Sequence, residues 1–288
     1  MNVKHKKYVF YFPYLFFILA LSSCSSSDHS IKMKGSDTEV NLAVNLAEKY
    51  TPLDPSFSIA ISGGGSGLGI TSLLNGQADI ANSSRPLSEK EAAAFKTKNI
   101  TLKTIIFAED ATAFVVHKDL PISQVDVATL GRIMRGEYKN WSEIIPEVNL
   151  PINIYGRQSS SGTHSFVKKK LNIEFANTAK EMTGNAQILE GIKSDKSGIG
   201  YVGAGYVSSD INARQGVKVL KIKGPTDSLY YSPLDPVVIN QSLYYFQRPL
   251  YQFVVADSWE KVKPLIDFEQ SEAGRQLIRE HGYYIIEN

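Results

Sequence analysis

Three times along this chain a short strand candidate runs into a loop of Gly, Ser and Thr and then into apolar residues at helical spacing. Strand, tight loop and helix in that order build open α/β sheets, whose loops gather at the carboxyl ends of the strands, where ligands bind. In the first unit Ile31 to Lys34 reads as a strand, and Val40, Ala43, Val44 and Ala47 share a helical face widened by Leu46 and Tyr50. Gly35-Ser36-Asp37-Thr38-Glu39 joins them. The Ser36 and Glu39 spacing fits a capping box, each side chain bonding the other's backbone amide. It also fits an anion site, because the unpaired amides of a helix start face whatever lies beyond it.

The second unit runs from Ser56 to Ile61, through Ser62-Gly63-Gly64-Gly65-Ser66-Gly67, to a short helix with Ile70, Leu73 and Leu74 that stops at Asn75-Gly76. A loop without bulky side chains lets backbone amides approach a ligand, though a bare flexible turn has the same composition. It is not a P-loop, since no Lys follows the glycines, and G-x-G-x-x-G fails in every register. Downstream, Ala78 to Arg85 brings a short strand to Ser83, Ser84 and Arg85, where Arg85 reads as an oxyanion donor or as a surface residue before Pro86. The third unit is the most specific. Pro151 to Tyr155 is a strand, Gly156-Arg157-Gln158-Ser159-Ser160-Ser161-Gly162-Thr163 is the loop, and Phe166, Val167 and Leu171 mark the helix. An arginine, four hydroxyls and a glycine supply donors for the oxygens of a tetrahedral anion, bidentate Arg contacts being the strongest.

The first 24 residues are different in kind. Lys4, His5, Lys6 and Lys7 precede an apolar run from Val9 to Leu21, which ends in Leu21-Ser22-Ser23-Cys24. A run of 13 residues falls short of the roughly 20 a membrane-spanning helix needs, so residues 1–23 read as an export signal. The ending resembles the bacterial lipobox, which makes Cys24 the lipidation site and residues 24–30 a tether. Removing the signal lowers Lys plus Arg from 31 to 28 against 29 acids, a formal net charge near −1. The mature part has no basic tract, which argues against nucleic acid as a partner. With one cysteine in 288 residues, the fold does not lean on disulfides. At 43% apolar and 21% charged residues, the chain reads as globular, with length for one large domain or two modest ones.

At this point the residues resemble the phosphate-binding proteins of bacterial phosphate ABC transporters, the PstS family of two-lobed periplasmic binding proteins. The resemblance runs over Ile31 to Ile286. It is carried by Gly35 to Thr38, Ser62 to Gly67, Asp79 to Arg85, Gly136 to Ile144 with Asn140-Trp141, Arg157 to Thr163, Gly198 to Val202, and Arg248-Pro249-Leu250-Tyr251. It implies an α/β fold of type II with two lobes, each a mixed sheet flanked by helices, joined by two hinge crossings near Glu109 to Ala113 and Tyr245 to Leu250. Lobe 1 would comprise residues 31–110 plus 246–288, and lobe 2 residues 111–245. The implied phosphate contacts are Ser36 and Thr38 from the first loop, Ser66 from the second, and Arg157, Ser161, Gly162 and Thr163 from the third. The implied role is phosphate binding without enzymatic activity or cofactor. The implied partners are an ABC permease and ATPase complex, with a lipid anchor holding a monomer on the membrane. Two departures stand out. The family often has, at Ser84, an aspartate that accepts the proton of hydrogen phosphate and so rejects sulfate. Asp37 is the candidate for that task from the first loop, or Arg85 enters the site and satisfies the second negative charge instead. Ser159 stands where many members have an acid that orients the arginine, which leaves Arg157 freer or held by another acid such as Asp110.

Other readings use the same residues. Ser160 or Ser161 with His164 invites a hydrolase, but no Gly-x-Ser-x-Gly elbow brackets the serines and all lie on one helix start. His117, His164 and His281 lack metal-ligand spacing. Sulfate, molybdate or tungstate would suit the same hydroxyls and amides, and an adhesin or scaffold that has lost transport would keep the tether. The aromatic residues from Tyr230 to Phe253 suit a sugar site or, better, core and hinge strands. A final helix is expected over about Ser258 to His281, interrupted at Pro264.

Overall fold

The computed structural model describes residues 30–208 and 214–285. The export signal and Cys24 lie outside the described residues, as does the tether apart from Ser30. Strands β1 (Ser30–Gly35), β2 (Ser58–Ser62) and β3 (Ile80–Ser83) run parallel in the order β2-β1-β3. Parallel neighbours put the ends of all three on one edge, and helices α1 (Val40–Tyr50) and α2 (Ser66–Leu74) start there. Helix α1 lays Leu42, Ala43, Leu46, Ala47 and Tyr50 on the core; of the stripe expected from spacing, Val44 is exposed and Val40 half-buried, because the helix is turned so that Leu42 faces inward. Helix α3 (Glu89–Thr97) starts in a full capping box, Ser88 with Glu91.

A strand of 16 residues, β4 (Leu102–His117), then leaves this lobe. Its first half pairs antiparallel with β11 (Gln247–Val255), which in turn pairs with β3. Its second half pairs with β8 (Gly198–Gly203) and β9 (Val217–Val219). On the far side of β8 lie β6 (Asn153–Arg157) and β7 (Lys180–Met182), both parallel to it in direction. Helices α4 (Val127–Met134), α5 (Gly162–Leu171), α6 (Asn185–Lys193), α7 (Gly205–Ser208) and α8 (Pro236–Asn240), with the small pair β5 (Gln124–Asp126) and β10 (Lys221–Lys223), complete the second lobe.

Besides a smaller cluster of Ile70, Leu73, Ala81, Phe95 and Phe253, two apolar cores follow from this division. One gathers Ala111, Phe114, Trp141, Tyr201 and Phe246 among its members. The other gathers Ile31, Met33, Leu46, Ala108, Leu250 and Ile266. The chain crosses between them twice, and the crossings pair with each other: Gln247 sits opposite Ala111 and Arg248 opposite Asp110. This is the mixed α/β, two-lobed, two-crossing architecture expected from the sequence.

One expectation is corrected. The carboxyl-terminal helix breaks at Ser271, not at Pro264, giving α9 (Trp259–Gln270) and α10 (Glu272–Glu280). Pro264 lies on the exposed face of α9, so the carbonyl it leaves unpaired is open to water. Ser271 ends α9 and accepts from Gly274 N at 3.3 Å, capping the next helix.

Candidate anion site between the lobes

The loops after β1, β2 and β3 meet the loops after β6 and β7 face to face. Gly67 N donates to Ser160 O at 3.0 Å, and Ser160 Oγ donates to Gly64 O at 3.2 Å. Asp37 reaches across to accept from Asn185 N and Nδ2 at 2.9 and 3.1 Å, while Tyr206 OH donates to the Asp37 carbonyl at 2.7 Å. Thr38 Oγ1 and Thr163 Oγ1, one from each lobe, stand 3.1 Å apart. The lobes are closed on one another. Gly65 is required for this twice over: its φ is +102°, and a Cβ there would lie 2.7 Å from the Ser160 carbonyl.

Two arginines are buried at the seam. Arg157 ends β6 and is 1% exposed. Its Nη2 donates to Thr183 O at 2.9 Å, and its Nη1 stands 3.4 Å from Asp37 Oδ2. Burial draws its pKa down, and the Asp37 carboxylate pulls it back up. Arg248 comes from the hinge strand β11. Its Nε and Nη2 both bond Asp110 Oδ2, at 3.0 and 2.7 Å, and Nη2 also reaches Thr163 Oγ1 at 3.0 Å and Thr38 Oγ1 at 3.3 Å. One guanidinium thus ties both hinge crossings to both closing loops. Asp110 is fully buried, and that burial raises its pKa against the opposing influence of Arg248.

What these groups lack is as informative as what they hold. Among the described residues, no hydrogen-bond partner reaches Arg157 Nε or Nη1, Arg248 Nη1, or Ser36 Oγ, although all are buried. An unsatisfied buried donor costs about 1 to 3 kcal/mol, more when charged. Such a cluster is the form of a site that an oxyanion completes.

Ser36, Thr38, Ser66, Ser84, Arg157, Ser161 and Thr163 are all at or below 2% exposed, and Asp37 and Gly162 lie beside them. Ser66 Oγ accepts from Ser84 N at 3.1 Å and lies 3.5 Å from Ser84 Oγ, which ties the second loop to the end of β3. Ser161 caps α5, accepting from His164 N at 3.4 Å. Arg85, proposed from the sequence as a second oxyanion donor, is placed elsewhere: its Nη1 and Nη2 bond Glu91 at 2.7 and 2.8 Å, because Glu91 is held on the same rim by the α3 cap. Arg157 pairs with Asp37, not Asp110, since the β4 to β11 register sets Asp110 opposite Arg248. The Ser36 and Glu39 capping box is not formed: Glu39 itself occupies the cap position and makes no side-chain cap bond. His164 is turned to the backbone and the core: its Nδ1 sits 2.9 Å from the Arg157 carbonyl and its ring packs 4.7 Å from that of Phe175. Sequence reasoning missed Arg248 as a donor. Its segment was noted as a hinge, and an arginine inside that apolar stretch was the available signal.

Comparison with known proteins supplies the lineage. A family model described as the PBP superfamily domain matches residues 22–271. The chain belongs to the PBP superfamily. Within that superfamily it is similar to the phosphate-binding protein PstS of Borreliella burgdorferi, 26% identical, with 93% of this chain and 96% of that protein covered. It is similar to an ABC-type phosphate transport receptor from Vibrio cholerae, 28% identical, TM-score 0.68, covering 89% of this chain and 100% of the other. A PBP structure from Clostridium perfringens, solved with bound phosphate, shares the fold at 24% identity and TM-score 0.79, over 90% of this chain and 100% of the other. The Borreliella burgdorferi and Vibrio cholerae relatives are named for phosphate binding and phosphate transport respectively.

Proposed function

We propose that the cleft binds inorganic phosphate and that the protein delivers it to an ABC permease and ATPase complex for import. The observation that carries this reading is the set of buried donors without partners on Ser36, Arg157 and Arg248, converging from both lobes. The relatives named phosphate-binding proteins support it. In this reading Ser36, Thr38, Ser66, Arg157, Ser161, Gly162 and Thr163 contact the anion, and Arg248 adds a donor from the hinge. Asp37 orients Arg157 and Ser84 braces Ser66. Residues 31–110 with 246–288 form one lobe and 111–245 the other, a division the two cores support except at Phe246, which packs into the core of the second lobe. The protein acts as a monomeric receptor, exported and held to the membrane by lipid on Cys24, and carries out no catalysis.

Each charge-assisted hydrogen bond contributes roughly 1.5 to 3 kcal/mol. Several together reach about −8 kcal/mol, micromolar affinity, after closure and desolvation are subtracted. A second reading, a receptor for sulfate, molybdate or tungstate, is favoured by Ser84 alone, where no carboxylate waits for a phosphate proton. Calorimetry on the chain from Ser25, freed of ligand by partial unfolding and refolding, separates the two. Phosphate binding at micromolar affinity or tighter with weak sulfate binding is the expected result. Equal binding of both ions would make it a general oxyanion receptor, and binding of neither would end the reading.

A further inference from the structure

Glu39 closes the first loop at the start of α1, and it has no part in the site as described so far. Its residue is 0% exposed, and neither carboxyl oxygen has a hydrogen-bond partner among the described residues. A carboxyl so placed is far less costly neutral than ionised. Burial lifts its pKa well above the usual carboxylate range. The Ser36 hydroxyl and then the Arg248 guanidinium pull it down, and the Asp110 and Glu269 carboxyls push it up. The buried Tyr283, which donates to the Thr38 carbonyl, also lies within its field.

Three residues earlier on the same turn stands Ser36, 2% exposed, whose hydroxyl meets no partner at full hydrogen-bond geometry among the described residues. The turn is closed by Glu39 N donating to Ser36 O at 3.1 Å, so the two side chains belong to one rigid corner. The Ser36 hydroxyl is the group that most lowers the Glu39 pKa, so a buried acid and a buried hydroxyl act on one another at the floor of the anion cleft. We propose that Glu39 sets, through Ser36, whether the cleft donates to or accepts from its oxyanion, and so discriminates a protonated oxyanion from a fully deprotonated one. The inference rests on the phosphate reading of the same cleft.

The chemistry needs no proton to leave the ligand. A neutral Glu39 donates its O–H to Ser36 Oγ, and Ser36 then turns its own hydrogen toward a ligand oxygen. That arrangement serves sulfate and phosphate alike. An ionised Glu39 accepts the Ser36 hydrogen instead, which leaves the Ser36 lone pairs to accept from a P–OH group. Sulfate has no hydrogen to give and is left facing an acceptor. A site built to hydrogen-bond a ligand hydrogen rejects the analogue that lacks it, because its own polar group is then unpaired. This supplies a discriminating group in a chain with Ser84 where an aspartate is usual.

The test is the ratio of phosphate to sulfate affinity, measured by calorimetry from about pH 6 to about pH 9, for wild type, Glu39→Gln and Ser36→Ala. Phosphate speciation in solution is common to all three proteins, so the difference between them is what is read. The ratio is expected to rise with pH about tenfold more in wild type than in either variant, on the scale of one hydrogen bond gained or lost. A pH dependence in wild type that matches that of Glu39→Gln or, should that variant not fold, of Ser36→Ala, overturns the assignment. Wild type that binds no phosphate defeats the phosphate reading itself, a result distinct from phosphate binding whose selectivity ignores Glu39.

Discussion

Arg157 was legible because its signal is local: a guanidinium at a strand end, four residues before a Ser-Gly-Thr helix start. Arg248 was not, because its role is created by register. Nothing in Arg248-Pro249-Leu250 announces that antiparallel pairing will set it against Asp110, or that closure will bring Thr38 and Thr163 to the same nitrogen. The two therefore fail differently when removed. Arg157→Ala should weaken phosphate binding by roughly 2 to 5 kcal/mol, the range for truncating one side of a desolvated charge pair, with the fold intact. Arg248→Met strands Asp110 as a buried uncompensated charge and should lose about 3 to 5 kcal/mol of stability in denaturant unfolding. Adding Asp110→Asn should restore much of that stability but not the affinity. A double variant that binds like wild type would reduce Arg248 to a structural brace.

The strand, loop and helix units follow from periodicity, and the structure has them within a residue or two of the expected limits. β6 extends through Arg157, so the arginine ends the strand and does not hang in the loop. What periodicity could not supply is contact between units far apart in sequence. Gly162 begins α5, and a Cβ there would lie 2.3 Å from Ser66 Oγ and 2.6 Å from Ser84 Oγ, both in the opposite lobe. Helix α5 can close on α2 and β3 only because that atom is missing. Gly162→Ala should leave each lobe folded and hold the lobes apart. Overpacking of this kind costs about 1 to 3 kcal/mol, so affinity should fall about 10- to 100-fold. Solution scattering should show less compaction on adding phosphate, and an unchanged compaction would show that the seam has room to spare.

Across the whole molecule, two cores joined by two paired crossings place buried acids where the lobes meet and behind them. Glu269 is the clearest case, held by burial at a pKa of about 8 with Gln252 Nε2 donating to it at 3.2 Å. Between the ordinary value of 4.5 and about 8 the folded state holds a proton that the unfolded chain has released. Its contribution to stability is therefore full below the lower limit and declines as pH rises to the upper one. Glu269→Gln should remove that decline, gaining on wild type by on the order of a few kcal/mol at pH 8.5 relative to pH 5 in denaturant unfolding. A constant difference between the two proteins would mean that Glu269 titrates normally. The lobes and the hinge came only with the family resemblance, while the three loops that build the cleft were readable before the structure, since each rests on a pattern of a dozen residues or fewer. The pairing of charges inside the cleft was not, since it depends on which acid the closed lobes bring to which arginine.

Whether a tetrahedral anion occupies this seam can be tested directly. Arsenate has the shape and protonation of phosphate, and its anomalous scattering locates it in a crystal of the ligand-stripped protein grown with the anion. A single arsenic peak within reach of Ser36 Oγ, Arg157 Nε and Nη1, and Arg248 Nη1 is the expected result. A peak elsewhere, or a cleft without one at a concentration that saturates the protein in solution, would contradict the assignment of these buried donors to a ligand.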